Sequence, residues 1–336
     1  MMVMWLGFGL AAYSVVGNDV IQTLGTFLTS NEKRVSWLVL WAYAGGILSL
    51  ILIIGYMGWG NYFGLGGDDI AFDRLDKIDV PDSLAWYYIL PPLVLMLITR
   101  LGIPVSTTFL ILTFFSPKSL SGMVQKSVMG YIIAFLVGAI VYYFFTTFFE
   151  KKFRETELTA SNPTSLLNNT SFWTAAQWLS TGFLWTQWLS QDLANIYVYL
   201  GKGNLSVPSF IASLIIIVGL LGYIFYSKGG KIQDIVREKS NTADIRSATF
   251  IDLFYGIVLL IFKQNILGLW EAKLPMSTTW VFIGLLAGRG LMMAWRLDNK
   301  LEWKELRVLV WDLGKVFLGL VISVILVYVM KYFTGT

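Results

Sequence analysis

The sequence PVSTT at residues 104–108 recurs as PMSTT at residues 275–279, 171 positions later. A second pair of motifs, ND at 18–19 and QD at 191–192, recurs in the same order with an offset of 173 positions. Two motifs that repeat together over most of a chain indicate an internal duplication. We therefore expect each half of the chain to contain the same elements in the same order.

The composition of the chain indicates a membrane protein. Of its 336 residues, 56% are hydrophobic and only 14% are charged, whereas a soluble domain carries about 25% charged residues. Several apolar runs approach the roughly 20 residues that cross the hydrocarbon core of a bilayer. From these runs we predict membrane-crossing helices at residues 3–29, 35–58, 122–149, 172–200, 208–227 and 306–333.

Two further apolar segments are interrupted near their middle by proline. The first covers residues 84–116 and is interrupted at 102–104; the second covers residues 248–293 and is interrupted at 273–275. Because proline removes a backbone donor and clashes with the preceding turn, we expect each interruption to separate two half-length helices. Each segment is predicted to be a re-entrant hairpin, which is tolerated at membrane depth where protein or a water-filled cavity satisfies its tip.

The basic residues predict how these helices are oriented. Segments 30–35, 150–170, 228–246 and 289–307 carry fifteen of the 25 lysines and arginines, whereas the segments on the opposite side carry six. Since basic residues accumulate in cytoplasmic loops, we expect those four segments to lie inside. Both termini and the acidic loop 60–83 are then on the outer or periplasmic side, and the short loops favour a prokaryotic plasma (inner) membrane.

The predicted fold class is an all-α polytopic membrane protein of two inverted repeats, each of three membrane-crossing helices plus a re-entrant helical hairpin. Three crossings are an odd number, so the second copy must enter the membrane upside down. We place the N-terminal repeat at 1–150, a cytoplasmic linker at 151–171 and the C-terminal inverted repeat at 172–336. Inverted repeats of this kind are typical of secondary transporters, with a binding site near the membrane midplane between the repeats.

The residue types that the chain lacks exclude several classes of chemistry. It contains no cysteine and no histidine, which removes thiol chemistry, disulfides, zinc sites and nucleophiles activated by histidine. The net charge of +4 is explained by basic cytoplasmic loops and requires no nucleic-acid partner. We therefore expect neither an enzyme nor an organic cofactor, and no metal other than sodium.

Each copy places one acid inside an otherwise apolar helix, Asp19 in the first copy and Asp192 in the second. A lone carboxylate there costs roughly 2.5 to 3.5 kcal/mol on insertion scales, so it is normally paired, protonated or bound to an ion; the alternative is an acid that snorkels from a helix end. Carboxylate and amide oxygens suit alkali cations, and Gly17 would permit local unwinding. We predict that a coupling cation binds at Asn18, Asp19, Gln22, Gln191, Asp192 and Asn195.

The repeated motifs supply three consecutive hydroxyls after each proline. A helix that begins at Ser106 or Ser277 points free backbone N–H groups and a positive dipole end at the site, which suits an anion. Serine and threonine are also common helix N-caps, so capping is the alternative. The predicted anion site consists of Ser106, Thr107, Thr108, Ser277, Thr278 and Thr279 together with Asp19 and Asp192.

These motifs resemble those of the inorganic phosphate transporter family, the sodium- or proton-coupled phosphate permeases, which include sulfate-transporting relatives. The family signature resembles GANDVANA, followed later by PVSTTH. In this chain it reads GNDVIQ at 17–22 and SQDLAN at 190–195, followed by PVSTTF at 104–109 and PMSTTW at 275–280. The departures are Gln22 and Gln191 in place of asparagine, and Phe109 and Trp280 in place of histidine.

The resemblance implies a function. It implies that inorganic phosphate is transported together with sodium or protons, through a site at the midplane between the repeats, by alternating access. It also implies a homodimer in membrane lipid. The residues leave open a related permease for sulfate or another oxyanion, a passive anion channel lined by half-helices, an intramembrane enzyme with Asp19 and Asp192 as a catalytic pair, and an inert scaffold or receptor.

Overall fold

Helices form the fold of the computed structural model. It describes residues 1–65, 67–81, 83–101, 105–158, 165–202, 205–229, 233–234, 244–271, 273–297 and 303–334. In the first half the helices are α1 (Met2–Asn31), α2 (Trp37–Met57), α3 (Trp86–Arg100), α4 (108–115) and α5 (Pro117–Phe149). In the second half they are α6 (Thr170–Asp192), α7 (Ala194–Tyr197), α8 (Val207–Tyr226), α9 (Ile245–Lys263), α10 (Thr278–Leu297) and α11 (Trp303–Thr334).

Six helices in the described part of the chain are long and apolar enough to cross a membrane. Five of them, α1, α2, α5, α8 and the apolar part of α11, correspond to predicted spans. The sixth is α9, which we predicted to be one arm of a hairpin. The predicted span 172–200 is absent from this set, because its helix α6 carries many glutamine, serine and threonine residues and ends at Asp192.

The outer surface of the described helices is apolar where lipid would contact it. On α5 the residues Val128, Ile132, Leu136, Ile140 and Phe144 recur at every fourth position and are 37 to 58% exposed. Residues at this spacing lie on one face of a helix. Polar side chains are instead buried at the centre, which is the reverse of a soluble protein. The chain is a multi-pass membrane protein.

The second interrupted segment differs from the prediction of two half-length helices. Its arms α9 and α10 contain 19 and 20 residues. The first arm begins at Ile245 because the side chain of Asp244 accepts a hydrogen bond from the backbone N–H of Arg246, which caps the helix. Pro275 lies in the connection between the arms, so neither helix contains a proline that would shorten it.

The first interrupted segment is closer to its prediction. Its first arm, α3, ends at Arg100, and its second arm, α4, consists of a π-helical turn Thr108–Leu112 followed by Thr113–Phe115. The predicted interruption at 102–104 lies outside the described residues. Both pieces are shorter than the roughly 20 residues that a membrane crossing requires.

The two halves pack on each other in a reciprocal pattern. The last long helix of the first half, α5, packs on α10, and the last helix of the second half, α11, packs on α4. Within each half, the first helix packs on the first arm of the interrupted segment, α1 on α3 and α6 on α9. Finally, α2 packs on α8. Exchanging the halves therefore converts these five pairs of helices into one another.

Glycines permit α5 and α10 to approach closely. A Cβ built on Gly288 would lie 2.1 Å from the backbone oxygen of Phe135, and one on Gly284 would lie 2.5 Å from that of Tyr131. On the facing helix, a Cβ on Gly138 would lie 2.5 Å from a backbone oxygen of α10. Small residues four positions apart commonly form such contacts between membrane helices. The α5–α10 pair thus fixes the position of the helix that begins with the second threonine motif.

We expect Gly288→Ala to lower the midpoint of thermal unfolding in detergent, measured as the loss of monodisperse protein after heating. The new methyl carbon cannot be accommodated unless α5 and α10 separate, and overpacking of this kind costs about 1–3 kcal/mol.

The matched control is Gly290→Ala on the same helix, where no heavy atom of another described element lies within 4 Å of the added carbon. Alanine there improves helix propensity by up to about 1 kcal/mol, so the midpoint is expected to stay the same or rise. Equal midpoints for the two variants would contradict the close contact between α5 and α10.

Candidate functional site

The two predicted acids are buried where their helices depart from regular α geometry. Asp19 is 2% exposed and lies in a π-helical turn, Val16–Val20, in the middle of α1. Asp192 is 1% exposed and is the last residue of α6, before the short helix α7. The π turn includes Gly17, at which local unwinding was expected. Such interruptions are frequent at functional sites because they free backbone groups.

The middle hydroxyl of each repeated motif binds the acid of the same half. The side chain of Thr107 donates a hydrogen bond to Asp19 Oδ2. The side chain of Thr278 donates to Asp192 Oδ2 at 2.5 Å. Each acid is therefore held by the motif that follows it in the sequence, in the same way in both halves.

The last hydroxyl of each motif binds the other motif. Thr108 Oγ1 donates to the backbone oxygen of Met276 at 3.2 Å, and Thr279 Oγ1 donates to that of Val105 at 3.3 Å. The two motifs consequently face each other at the centre of the molecule. The six predicted hydroxyls are all at most 3% exposed.

The first hydroxyl of each motif caps a helix. Ser106 Oγ accepts from the backbone N–H of Phe109 at 3.2 Å, and Ser277 Oγ accepts from that of Trp280 at 3.3 Å. This is the capping role that the sequence left open beside anion binding. A serine hydroxyl that accepts one hydrogen bond can still donate another, so capping does not remove these hydroxyls from the site.

The predicted cation residues of the first half lie together. Asn18 Nδ2 donates to Asp19 Oδ1 and to the backbone oxygen of Val105, both at 2.7 Å. Gln22 Nε2 donates to Asn18 Oδ1 at 3.0 Å. Among the described residues, the other amide atom, Gln22 Oε1, is buried with no hydrogen-bond partner. A buried oxygen without a donor is a suitable ligand for a cation.

The corresponding residues of the second half make different contacts. Asn195 Nδ2 donates to Thr107 Oγ1 at 2.8 Å and to Thr108 Oγ1 at 3.4 Å, so its amide contacts the motif of the first half. Gln191 Nε2 donates to the backbone oxygens of Gln187 and Leu259 at 2.9 and 3.3 Å. Asn195 thus joins the two halves of the site through Thr107 and Thr108 of the first motif.

The sequence did not indicate that Arg74 belongs to this site. Arg74 lies on the 3-10 turn Asp73–Lys77, in the loop that follows α2, yet it is only 3% exposed. Its Nη2 donates to Gln191 Oε1 at 2.6 Å, and its Nη1 lies 3.5 Å from Asp192 Oδ1. Burial lowers the pKa of Arg74 from its ordinary value, but arginine remains charged in proteins. One of the two acids therefore has a fixed positive partner.

Ion pairs hold the loop that carries Arg74, which we call the outer loop (residues 60–81), against the rest of the molecule. They join Asp69 to Lys202 at 3.5 Å, Asp76 to Lys273 at 2.5 Å and Asp79 to Lys118 at 2.5 Å. The hydrogen bond to Asp76 raises the pKa of Lys273, and burial raises the pKa of Asp73. Close backbone contact adds to these pairs, because a Cβ on Gly55 would lie 1.8 Å from the oxygen of Ile70.

A third buried acid, Asp252 on α9, was missed by the repeat comparison. It is 0% exposed. Its Oδ1 accepts from the Thr26 hydroxyl; its Oδ2 accepts from Thr181 at 2.5 Å and from Gln177 Nε2 at 3.4 Å. The residue 171 positions earlier is Pro81, so the search for repeated acids could not find it. The sequence feature that could have indicated this buried acid is the presence of an aspartate within the apolar run 245–263.

Aromatic side chains occupy the positions where the resembling family has histidine. The rings of Phe109 and Trp280 meet edge to face with centroids 5.7 Å apart. Tyr255, on α9, donates its hydroxyl to the backbone oxygen of Thr278 at 3.1 Å. These rings enclose the motifs in apolar surroundings, which strengthen electrostatic interactions inside.

The arrangement brings together two kinds of groups. Carboxylate and amide oxygens of Asp19, Asn18 and Gln22 suit a hard cation. The threonine hydroxyls and the N-terminus of the helix that begins at Thr278 suit an anion. An anion and a cation bound side by side would offset each other's charge in this buried place, where a single ion would be costly.

Comparisons with known proteins agree with the fold. No family model and no curated protein matches the sequence. A solved structure described as "The sodium-dependent phosphate transporter" is similar with a TM-score of 0.60, over 98% of this chain and 97% of that chain, at 15% sequence identity. At this identity the match establishes a shared fold over nearly the whole length of both chains.

We expect Asp252→Leu to lower the midpoint of thermal unfolding in detergent. Leucine would leave the hydroxyls of Thr26 and Thr181 without the acceptor that they share, while the Gln177 amide would keep its hydrogen bond to Thr181 Oγ1. Each buried donor left unsatisfied costs about 1–3 kcal/mol.

The control is Thr249→Val, one turn away on α9. The Thr249 hydroxyl donates to the backbone oxygen of Ile245 in the same helix, so its loss does not affect the contact between helices made by Asp252. A midpoint for Asp252→Leu equal to or above that of Thr249→Val would show that Asp252 does not hold α1, α6 and α9 together.

Proposed function

We propose that this protein is a cation-coupled secondary transporter of inorganic phosphate. The proposal depends on hydrogen bonds that occur once in each half of the chain. The middle threonine of each motif binds the buried acid of its own half, and the last threonine binds the backbone of the opposite motif. A scaffold or receptor has no need of buried, paired polar groups at membrane depth, where they are costly. We also propose that the protein is not an enzyme.

The shared fold supports the choice of substrate class. The similar solved structure is described as a sodium-dependent phosphate transporter, and the motifs of this chain resemble those of phosphate permeases. Fold alone does not determine function, so the proposal depends on the site residues as well. Both acids and all six hydroxyls of the resembling motifs are present.

We further propose that the chain consists of two inverted repeats, 1–150 and 172–336, joined by the cytoplasmic linker 151–171. The reciprocal packing of α5 on α10 and α11 on α4 supports a duplication. In this proposal the segments that carry the threonine motifs are re-entrant hairpins whose tips meet at the midplane. Both termini lie on the outer side of the plasma membrane, and the protein functions as a homodimer.

The coupling cation, sodium or a proton, is proposed to bind among Asn18, Asp19, Gln22, Gln191, Asp192 and Asn195. The first three supply the most suitable group of oxygens, since Gln22 Oε1 is buried without a donor among the described residues. A bound cation would satisfy that oxygen and offset the charge of Asp19.

Phosphate is proposed to bind between the two motifs, at Ser106, Thr107, Thr108, Ser277, Thr278 and Thr279. Hydroxyls and the N–H groups at the start of a helix are neutral donors that favour an oxyanion. Asp19 and Asp192 border this position, so an anion binds well only when positive charge accompanies it. That requirement would couple the two ions, and movement of one repeat against the other would change access to the site.

We expect purified protein in proteoliposomes to accumulate radiolabelled phosphate under an inward sodium or proton gradient. Asp19→Asn and Asp192→Asn should each reduce this uptake by at least tenfold, because each removes a buried negative charge that is bound to a threonine of the proposed anion site. The exposed acid Asp68, changed to asparagine, is the control and should leave uptake unchanged.

Excess sulfate in the same assay separates a phosphate transporter from a permease of broader oxyanion specificity. Uptake that equilibrates phosphate without concentrating it would indicate a channel. If folded protein took up no phosphate under either gradient, the proposed substrate would be wrong.

A further inference from the structure

We propose that Arg74 is a tethered cation that replaces a coupling cation at Asp192, so that only the Asp19 half of the site binds a dissolved cation. This inference rests on the proposed function, because it assigns the cation sites of the same centre. It follows from which atoms the guanidinium contacts, from what surrounds the other acid, and from how the outer loop is held.

The guanidinium contacts the oxygens that the duplicated sequence assigns to a cation. Nη2 donates to Gln191 Oε1 at 2.6 Å and Nη1 lies 3.5 Å from Asp192 Oδ1. All three residues are at most 3% exposed. The guanidinium therefore donates a hydrogen bond to the amide oxygen and places a positive charge beside the carboxylate, although no hydrogen bond joins Nη1 to Asp192 Oδ1. A sodium ion at the same oxygens would meet a like charge a few ångströms away, which opposes its binding.

The Asp19 half has no equivalent of Arg74 in the part of the chain that the structure describes. Among the described residues, the groups that donate hydrogen bonds to the Asp19 carboxylate are neutral. They are the amide of Asn18 and the hydroxyl of Thr107. Its neighbour Gln22 has a buried oxygen, Oε1, with no donor among those residues. Asp192 Oδ1 likewise has no hydrogen-bond partner among the described residues, but Arg74 places a positive charge beside it. The two halves therefore share the acid, the threonine and an unpartnered oxygen, and they differ in positive charge, so the first half is the one that favours a dissolved cation.

The residue types explain why the difference arises at Gln191. The equivalent position in the first half is Asn18, whose shorter amide bonds Asp19 and the backbone of Val105. Glutamine is one methylene longer, and Gln191 extends to Leu259 and to Arg74. The longer amide thus places an acceptor where the guanidinium of the outer loop can reach it.

The outer loop is attached to both halves of the chain, and in the first half it contacts Lys118, through Asp79, and the backbone at Gly55. Asp69 pairs with Lys202, which follows α7, and Asp76 pairs with Lys273, in the connection between α9 and α10. The side chain of Lys263 also donates to the backbone oxygen of Leu65 at 2.5 Å. Arg74 is consequently held beside Asp192 by contacts with both halves of the chain.

The inference is tested by counting sodium ions bound to purified full-length protein with radioactive sodium at equilibrium, in detergent, without phosphate and with choline to keep ionic strength constant. We expect Arg74→Gln to bind one more sodium ion per chain than the wild type. The double variant Arg74→Gln/Asp192→Asn should return to the wild-type number. Arg100→Gln, which changes an exposed arginine, is the control and should match the wild type.

An equal number of sodium ions in wild type and Arg74→Gln would overturn the inference. So would an additional ion in Arg74→Gln that persists when Asp192 is replaced. If Arg74→Gln is not monodisperse, the wild type is compared with Asp192→Asn instead. A wild type that binds two or more sodium ions per chain, and that loses one of them when Asp192 is replaced, would contradict a tethered cation at that acid.

The count is independent of the transported anion. A wild type that binds no sodium, with one ion in Arg74→Gln, supports the role of Arg74 and contradicts sodium coupling at Asp19. Weaker phosphate binding in Arg74→Gln with an unchanged sodium count would instead identify Arg74 as an anion ligand, and would overturn the inference while leaving the proposed transport function intact.

Discussion

The structure depends on how carboxylates buried in the middle of a membrane protein are compensated. Asp19 and Asp192 are each bound by a threonine from a repeated motif, and Asp192 also faces Arg74. Without such partners each acid would oppose folding, since a lone carboxylate at membrane depth costs several kcal/mol. Hydrogen bonds from hydroxyls offset only part of a negative charge, which is why we propose that the acids also respond to bound ions.

The helix packing places these partners. Glycines 284 and 288 allow α10 to contact α5 closely, and α10 begins at the threonine that binds Asp192. The reciprocal contact of α11 with α4 positions the first motif, and Thr108 and Thr279 then join the two motifs directly. Asp252, on α9, links this helix to α1 and α6 through hydrogen bonds from Thr26 and Thr181. Together these contacts fix the centre from both halves of the chain.

Much of the fold and of the candidate site could be predicted from the sequence, because motifs that occur in both halves indicate which polar residues belong to the site. Five of the six predicted spans follow from apolar length, and the repeated motifs indicated the acids and the threonines that the structure brings together. The pairing of each acid with the threonine of its own half was not predicted. The features that break the duplication could not be predicted. Asp252 has no counterpart 171 positions earlier, Arg74 was counted only as a basic loop residue, and the length of α9 and α10 depends on Pro275 lying between them and on a cap at Asp244.

The central claim is that a cation and phosphate bind to one centre and favour each other, and thermodynamic linkage tests it directly. Phosphate binding to the purified protein should be measured by calorimetry across a series of sodium concentrations, and separately across a series of pH values, at constant ionic strength. Phosphate affinity that rises at least fivefold with sodium or with protons, and that is lost in Asp19→Asn, is the result we predict. Phosphate affinity that is independent of both cations would contradict the account.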